Sequence, residues 1–156
     1  MASFIHLADA KNRRLIEKNG IKGGRRGVFS APVVQDFSVT HQWARELKRT
    51  GVKSLICVQF RVPDNEVVSV GRYNGEKIFM TAVESVATVK NHTDPMGLEV
   101  IFGRKLMPKE ITRIYAAPRI VGWRYYPGAK GKKPFCSCRY CNRGEIRAQR
   151  LIREDD

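Results

Sequence analysis

Glu99 stands in the stretch GLEVIFGRKLMP, residues 97–108, among Leu98, Val100, Ile101 and Phe102, residues that favour burial. A carboxylate in such a strand has two readings. A half-buried strand has one wet face, and an outward Glu there is ordinary. A carboxylate lining a cleft can instead take a proton or stabilise developing positive charge. Glu99 is the only acid between Asp94 and Glu110, and Arg104, Lys105 and Lys109 follow it. As the lone anion in a positive field it is expected to stay ionised.

Other residues have the types and spacing for chemistry. FCSCRYCNRG sets Cys136, Cys138 and Cys141 in a tight turn, and Cys138 with Cys141 makes the C-x-x-C half of a zinc site. Zn2+ bound there is one reading; reduced thiols, or a disulfide that forms on oxidation, are the others. A fourth ligand would come from Cys57, His92 or His41, and Cys57, inside an apolar strand, is better explained by packing. A zinc at this place would be a structural knuckle pinning the basic tail, since no water-activating Glu stands beside it. No G-x-G-x-x-G follows a strand and no Walker loop occurs. KGGRRG, residues 22–27, has glycines and charges at the wrong spacing for either, so a Rossmann or P-loop site is unsupported.

The elements that must position these residues are legible in outline. SFIHLAD reads as a first strand. DAKNRRLIEKNGI reads as a helix with Asp9 as N-cap and Gly20 as stop. GVFSAPV reads as a second strand. SVTHQWARELKRTG reads as one amphipathic helix capped by Ser38 and stopped by Gly51, with Val39, Trp43 and Leu47 on one stripe. KSLICVQFRV and EVVSVGRYNG read as strands, the latter turning at Asn74-Gly75. IFMTAVESVATVKN is ambiguous, with a short helix around 82–89 preferred although β-branched residues weaken it. GLEVIF and ITRIYAAP are strands, and GEIRAQRLIRE is a last basic helix. The sum is an α+β fold with helices near the start and strands after them.

The chain has 156 residues, enough for one cored domain, and 42% of them are hydrophobic, which excludes a basic disordered tail. No apolar run approaches the length of a membrane span, and MASFIHLADAKNRR does not have the order of a signal peptide. A soluble, cytoplasmic protein is the expectation. The net charge is +14, and a polyanion is its natural partner: nucleic acid first, an acidic protein or membrane surface second. Residues 11–26 hold seven Lys or Arg and one acid, and residues 130–153 hold eight and one. GWRYYPGAKGKK mixes Trp123, Tyr125 and Tyr126 with Arg124, Lys130, Lys132 and Lys133. Such rings stack on bases at about 1–3 kcal/mol each, or else Trp123 and Tyr125 are the core of a strand.

GLEVIFGRKLMPKEITRIYAA resembles a signature of the DarT-type ADP-ribosyltransferase toxins, in which a Glu opens a hydrophobic strand, a Pro-containing turn follows, and an I-x-x-I strand comes next. FIHLADAKNRRLIEKNGIK resembles that family's opening strand with its His, and GVFSAPVV falls where its second motif strand is expected. Residues 4–117 carry the likeness through three short motifs in order. The resemblance implies a split β-sheet core over residues 1–120 and a basic Cys-containing extension, 121–156, packed on the same domain. It implies NAD+ as substrate, Glu99 as catalytic carboxylate, His6 on the adenosine-side ribose or the NAD+ backbone, and Phe29 and Ser30 supporting the nicotinamide. Phe29 departs from the Tyr that many such enzymes have there; plain strand packing is the other reading of this pair. Arg45, on the following helix, can meet the diphosphate bidentately or simply belong to that helix's wet side; His6 can equally be a strand-end His satisfied by backbone.

The acceptor implied is a base of DNA or RNA, reached single-stranded or flipped out, and a toxin implies a neutralising antitoxin. A non-enzymatic zinc-knuckle nucleic-acid binder would explain the charge, rings and cysteines but leave Glu99 and His6 idle. A transferase of the RNA 2′-phosphotransferase type relies on Arg and His rather than Glu, so Glu99 argues against it.

Overall fold

The computed structural model describes residues 1–118. They build an α+β unit on a seven-stranded sheet. Its strands are β1 (Ala2–Asp9), β2 (Val28–Pro32), β3 (Leu55–Val62), β4 (Val67–Arg72), β5 (Ile78–Thr81), β6 (Leu98–Phe102) and β7 (Ile111–Ala116). The helices are α1 (Arg13–Asn19), α2 (Phe37–Thr40), α3 (Ala44–Arg49) and α4 (Ala82–Asn91). The strand order is β5-β4-β6-β2-β1-β3-β7, and neighbouring strands run antiparallel. Among the described residues no helix is long and apolar enough to cross a membrane.

Local chemistry sets the helix ends. Asp9 accepts from the Lys11 N–H at 3.1 Å and starts a 3₁₀ turn, Ala10–Asn12, that feeds α1. Gly20 closes α1 at φ 76°, where a Cβ would lie 2.0 Å from the Leu106 carbonyl oxygen. Only glycine fits so close to another backbone. Thr81 and Glu84 form a reciprocal capping box, which holds α4 despite its β-branched residues. The helix expected around 82–89 is therefore present and runs to Asn91; the strand before it, β5, was not anticipated.

The helix expected from Ser38 differs in two ways. Its N-cap is Asp36, whose Oδ1 accepts from the Ser38 N–H at 2.9 Å and the Ser38 hydroxyl at 2.7 Å. It also breaks into α2 and α3 around His41–Trp43. At the break, side chains share carbonyls with the backbone: His41 Nδ1 donates to the Phe37 oxygen at 2.9 Å and Gln42 Nε2 to the Val39 oxygen at 3.1 Å. Gln42 is fully buried, and its Oε1 accepts from the Gly97 N–H at 2.7 Å, tying the break to the loop before β6.

The two faces of the sheet are packed unequally. On one, the rings of Phe4, Phe60 and Phe102 meet within 5.8 Å, and Val89 of α4 belongs to the same cluster. Among the described residues the other holds a small cluster of Ile5, Ala31 and Cys57, with Leu7 and Tyr115 against it. The sheet is also pinched. β1 pairs with β3 along its whole length, from Ala2↔Val62 to Asp9↔Leu55, but with β2 only at Phe4↔Pro32 and Ile5↔Ala31.

Candidate active site

Beyond Ile5 the ladder between β1 and β2 stops, and a cavity of about 490 Å³ opens there. Its floor comes from β1 (Ile5, His6, Leu7), β2 (Phe29, Ser30, Ala31) and β6 (Glu99). Thr40, Trp43, Glu46 and Leu47 of the broken helix pair complete its wall, with Thr50 at the rim. Strand alternation explains the floor. Phe29 pairs with Ile101 and Ser30 with Val100 across β2 and β6, so one more step of that register sets Ala31 beside Glu99. Ala31 in turn pairs with Ile5. Ala31, with its small side chain, is thus the β2 position between Glu99 and β1.

Glu99 is 8% exposed, so the wet-face reading does not hold. Every residue of β6 is buried. Its Oε2 is enclosed and meets no hydrogen-bond donor in good geometry among the described residues. The Lys77 ammonium lies 3.4 Å from that oxygen, a charge contact. The ammonium also donates to two backbone carbonyls, those of Arg72 and of Gly75, the latter at 3.2 Å. Burial raises the pKa of Glu99 above the ordinary carboxylate value, and the charges of Lys77 and Arg26 oppose this without cancelling it. Lys77 and Arg26 thus supply a positive field that favours the ionised form, as expected, and burial works against it. The source of that field differs from the one expected. Arg104 is drawn away into a fork between Glu66 and Glu110, with Nε at 2.7 Å from Glu66 Oε1 and Nη1 at 2.9 Å from Glu110 Oε2. Neither Lys105 nor Lys109 lines the cavity.

His6 bridges the split. Its Nδ1 lies 2.7 Å from the Phe29 carbonyl oxygen, standing in for the ladder bond the strands no longer make. A carbonyl only accepts, so Nδ1 carries the proton there and, in the neutral ring, Nε2 is left an acceptor. Burial lowers the pKa of His6 and favours that neutral ring. The strand-end reading and the ligand reading are thus compatible: one nitrogen is satisfied by backbone, and the residue lines the cavity. His6 also borders a second cavity of about 590 Å³, which takes Asn12 and Asn19 from the α1 region together with Lys22 and Lys105.

Ser30 is buried, and its hydroxyl donates to the Val100 oxygen at 3.0 Å, locking β2 to β6 next to Glu99. Phe29 carries the Arg26 guanidinium 5.0 Å over its ring. The structure thus brings His6, Phe29, Ser30 and Glu99 to one cavity. It does not bring Arg45 there. That residue is buried at 9% exposure, not on a wet helix side, and lies outside the lining.

Trp123, Arg124, Tyr126, Lys130, Lys132, Lys133, Cys136, Cys138 and Cys141 lie outside the described residues, as does the whole of the extension 121–156. Of the candidates for a fourth metal ligand, Cys57 is fully buried and His41 engages both ring nitrogens, with Phe37 and with the Tyr115 hydroxyl at 3.2 Å. His92 Nδ1 accepts from the Asp94 N–H at 3.0 Å.

Sequence reasoning missed Thr40, Trp43, Glu46, Leu47 and Lys77. Trp43 and Leu47 were placed on a packing stripe; they face the cavity because the break after α2 turns α3 over it. The one sequence signal was Gln42, a polar residue in the middle of an apolar stripe. No family model matches the chain, and comparisons with curated proteins and with solved structures return no match.

Proposed function

We propose that the chain is an NAD+-dependent mono-ADP-ribosyltransferase acting on a base of DNA or RNA, with Glu99 as its catalytic carboxylate. The observation that carries this reading is Glu99 itself: a buried carboxylate short of hydrogen-bond donors, lining an apolar cavity that His6 also faces. A structural strand has no use for such a group, and burying it costs stability. The DarT-type resemblance assigns the carboxylate to that residue, and the split between β1 and β2 agrees with the core that resemblance implies. The two cavities that share His6 suit the two halves of a dinucleotide, the apolar one for nicotinamide and the one with Lys22 and Lys105 for phosphate.

In the reaction, the bond between ribose C1′ and the nicotinamide nitrogen breaks. Its electron pair goes to the ring, which leaves neutral. A base nitrogen attacks C1′, and the proton it sheds passes to the Glu99 carboxylate. Before that, the carboxylate accepts a ribose hydroxyl and faces the oxocarbenium charge, as in glycoside cleavage. His6 Nε2 is an acceptor for a second hydroxyl. The positive balance of the chain, +14, favours a polyanionic acceptor.

The test is transfer from labelled NAD+ to single-stranded DNA, to RNA and to a protein mixture, with Glu99→Gln alongside. Label on one nucleic acid, falling about 10²–10³-fold in the variant, is the expected result. Label on protein alone would overturn the acceptor. No label, together with tight salt-dependent nucleic-acid binding, would replace the enzyme by the non-enzymatic binder.

A further inference from the structure

Gly71 stands directly across the β4–β6 ladder from Glu99. A Cβ at that position would lie 2.9 Å from Lys77 Cδ and 2.2 Å from the Glu76 carbonyl oxygen. The bare glycine therefore opens the lane along which the Lys77 stem crosses β4 to reach Glu99. The ammonium at its end is fixed before any ligand arrives, because the carbonyls of Arg72 and Gly75 hold it in the β4–β5 turn. Oε2 is the carboxylate oxygen that lies against it, at 3.4 Å.

We propose that Lys77 is a positioning residue for Glu99, fixing one carboxylate oxygen so that the other is left for the ligand in the cavity. This rests on the transferase reading and deepens it. Lys77 also supplies most of the positive charge that opposes the burial of the carboxylate. The other charged or titratable groups about the site are Arg26 before β2, His6 on β1 and Glu46 on α3. None of these combines a charge contact with Glu99 and an anchor in backbone carbonyls. A lysine packed there only to cover the turn would be replaceable by any straight side chain. A positioning lysine would not.

The experiment is a ¹³C carboxyl titration of Glu99 by NMR, its resonance assigned by its loss in Glu99→Gln. It is run on the whole chain, on Lys77→Met and on Lys77→Gln, which keeps a donor for the two carbonyls but no charge. The Glu99 midpoint is expected to rise by about one unit or more in both variants. The acid limb of NAD+ turnover should rise with it. A folded variant whose Glu99 midpoint does not move overturns the proposal, and turnover in the wild type then shows that the transferase reading survives. A midpoint that moves in the variants while the wild type shows no NAD+ turnover overturns the transferase reading, and with it any catalytic use of the pair.

Discussion

Replacing Glu99 by Gln should make the protein more stable at neutral pH, and the gain should vanish in acid. Glu99 is 8% exposed, its Oε2 meets no hydrogen-bond donor in good geometry among the described residues, and burial outweighs the charges of Lys77 and Arg26 in raising its pKa. The native state therefore holds the Glu99 proton more tightly than the unfolded chain does. Between the ordinary value, 4.5, and the raised one, the folded protein binds more protons, so its stability falls as pH rises through that window. The slope is about 1.4 kcal/mol for each pH unit of the window. Gln is close in shape and stays neutral. Its stability relative to wild type should be level below the window, climb within it and reach a plateau above it. The height of that plateau is the width of the window multiplied by this slope. Urea unfolding of both proteins between about pH 4 and pH 8, with matched slopes, measures the difference directly. Parallel stability curves would refute the reasoning. A wild type that gains on the variant as pH rises would show that Lys77 outweighs burial.

Two further perturbations test how the site is held. Gln42→Ala should cost about 2–3 kcal/mol, because it strands the Gly97 N–H and removes the donor shared by the Val39 and Pro95 oxygens; urea unfolding reads the loss. In ¹⁵N NMR near pH 7, His6 should be neutral with its proton on Nδ1, as its bond to the Phe29 oxygen and its lowered pKa require; an Nε2–H tautomer would remove the acceptor proposed for the ribose hydroxyl.

Much of the strand ladder was legible because it rests on short-range signals. Gly20 closes α1 and Asn74-Gly75 turns the chain after β4 where the sequence says, and most of the apolar runs are the strands. Arg45 and the stripe Val39, Trp43, Leu47 misled for one reason. Helical periodicity assumes an unbroken helix, and Gln42 breaks this one through a bond to Gly97, 55 residues away. No local rule contains that partner. Lys77 was illegible for the same cause: its link to Glu99 runs through the β4–β6 register and the missing Cβ of Gly71, both long-range facts. Glu99 was singled out correctly as a misfit in its strand, but its charged neighbours in sequence were not its neighbours in space. Arg104 looks like company for Glu99 until Glu66, 38 residues earlier, claims it.

The position of the carboxylate follows from the unequal packing of the sheet. A strand buried on both faces has no room for a charge unless one face is left unfilled. Here the phenylalanines pack one side, while Ala31 and Ile5 leave the other shallow beneath a helix pair that is broken rather than laid flat. The parting of β1 from β2 adds to the space and frees the Phe29 carbonyl, which His6 takes. Closing the split with a full ladder would satisfy that carbonyl by backbone, release His6 and shrink the cavity. The misfit Glu, the unequal packing of the described sheet and the short β1–β2 pairing therefore go together, and the stability gained in Glu99→Gln measures what holding a carboxylate there costs.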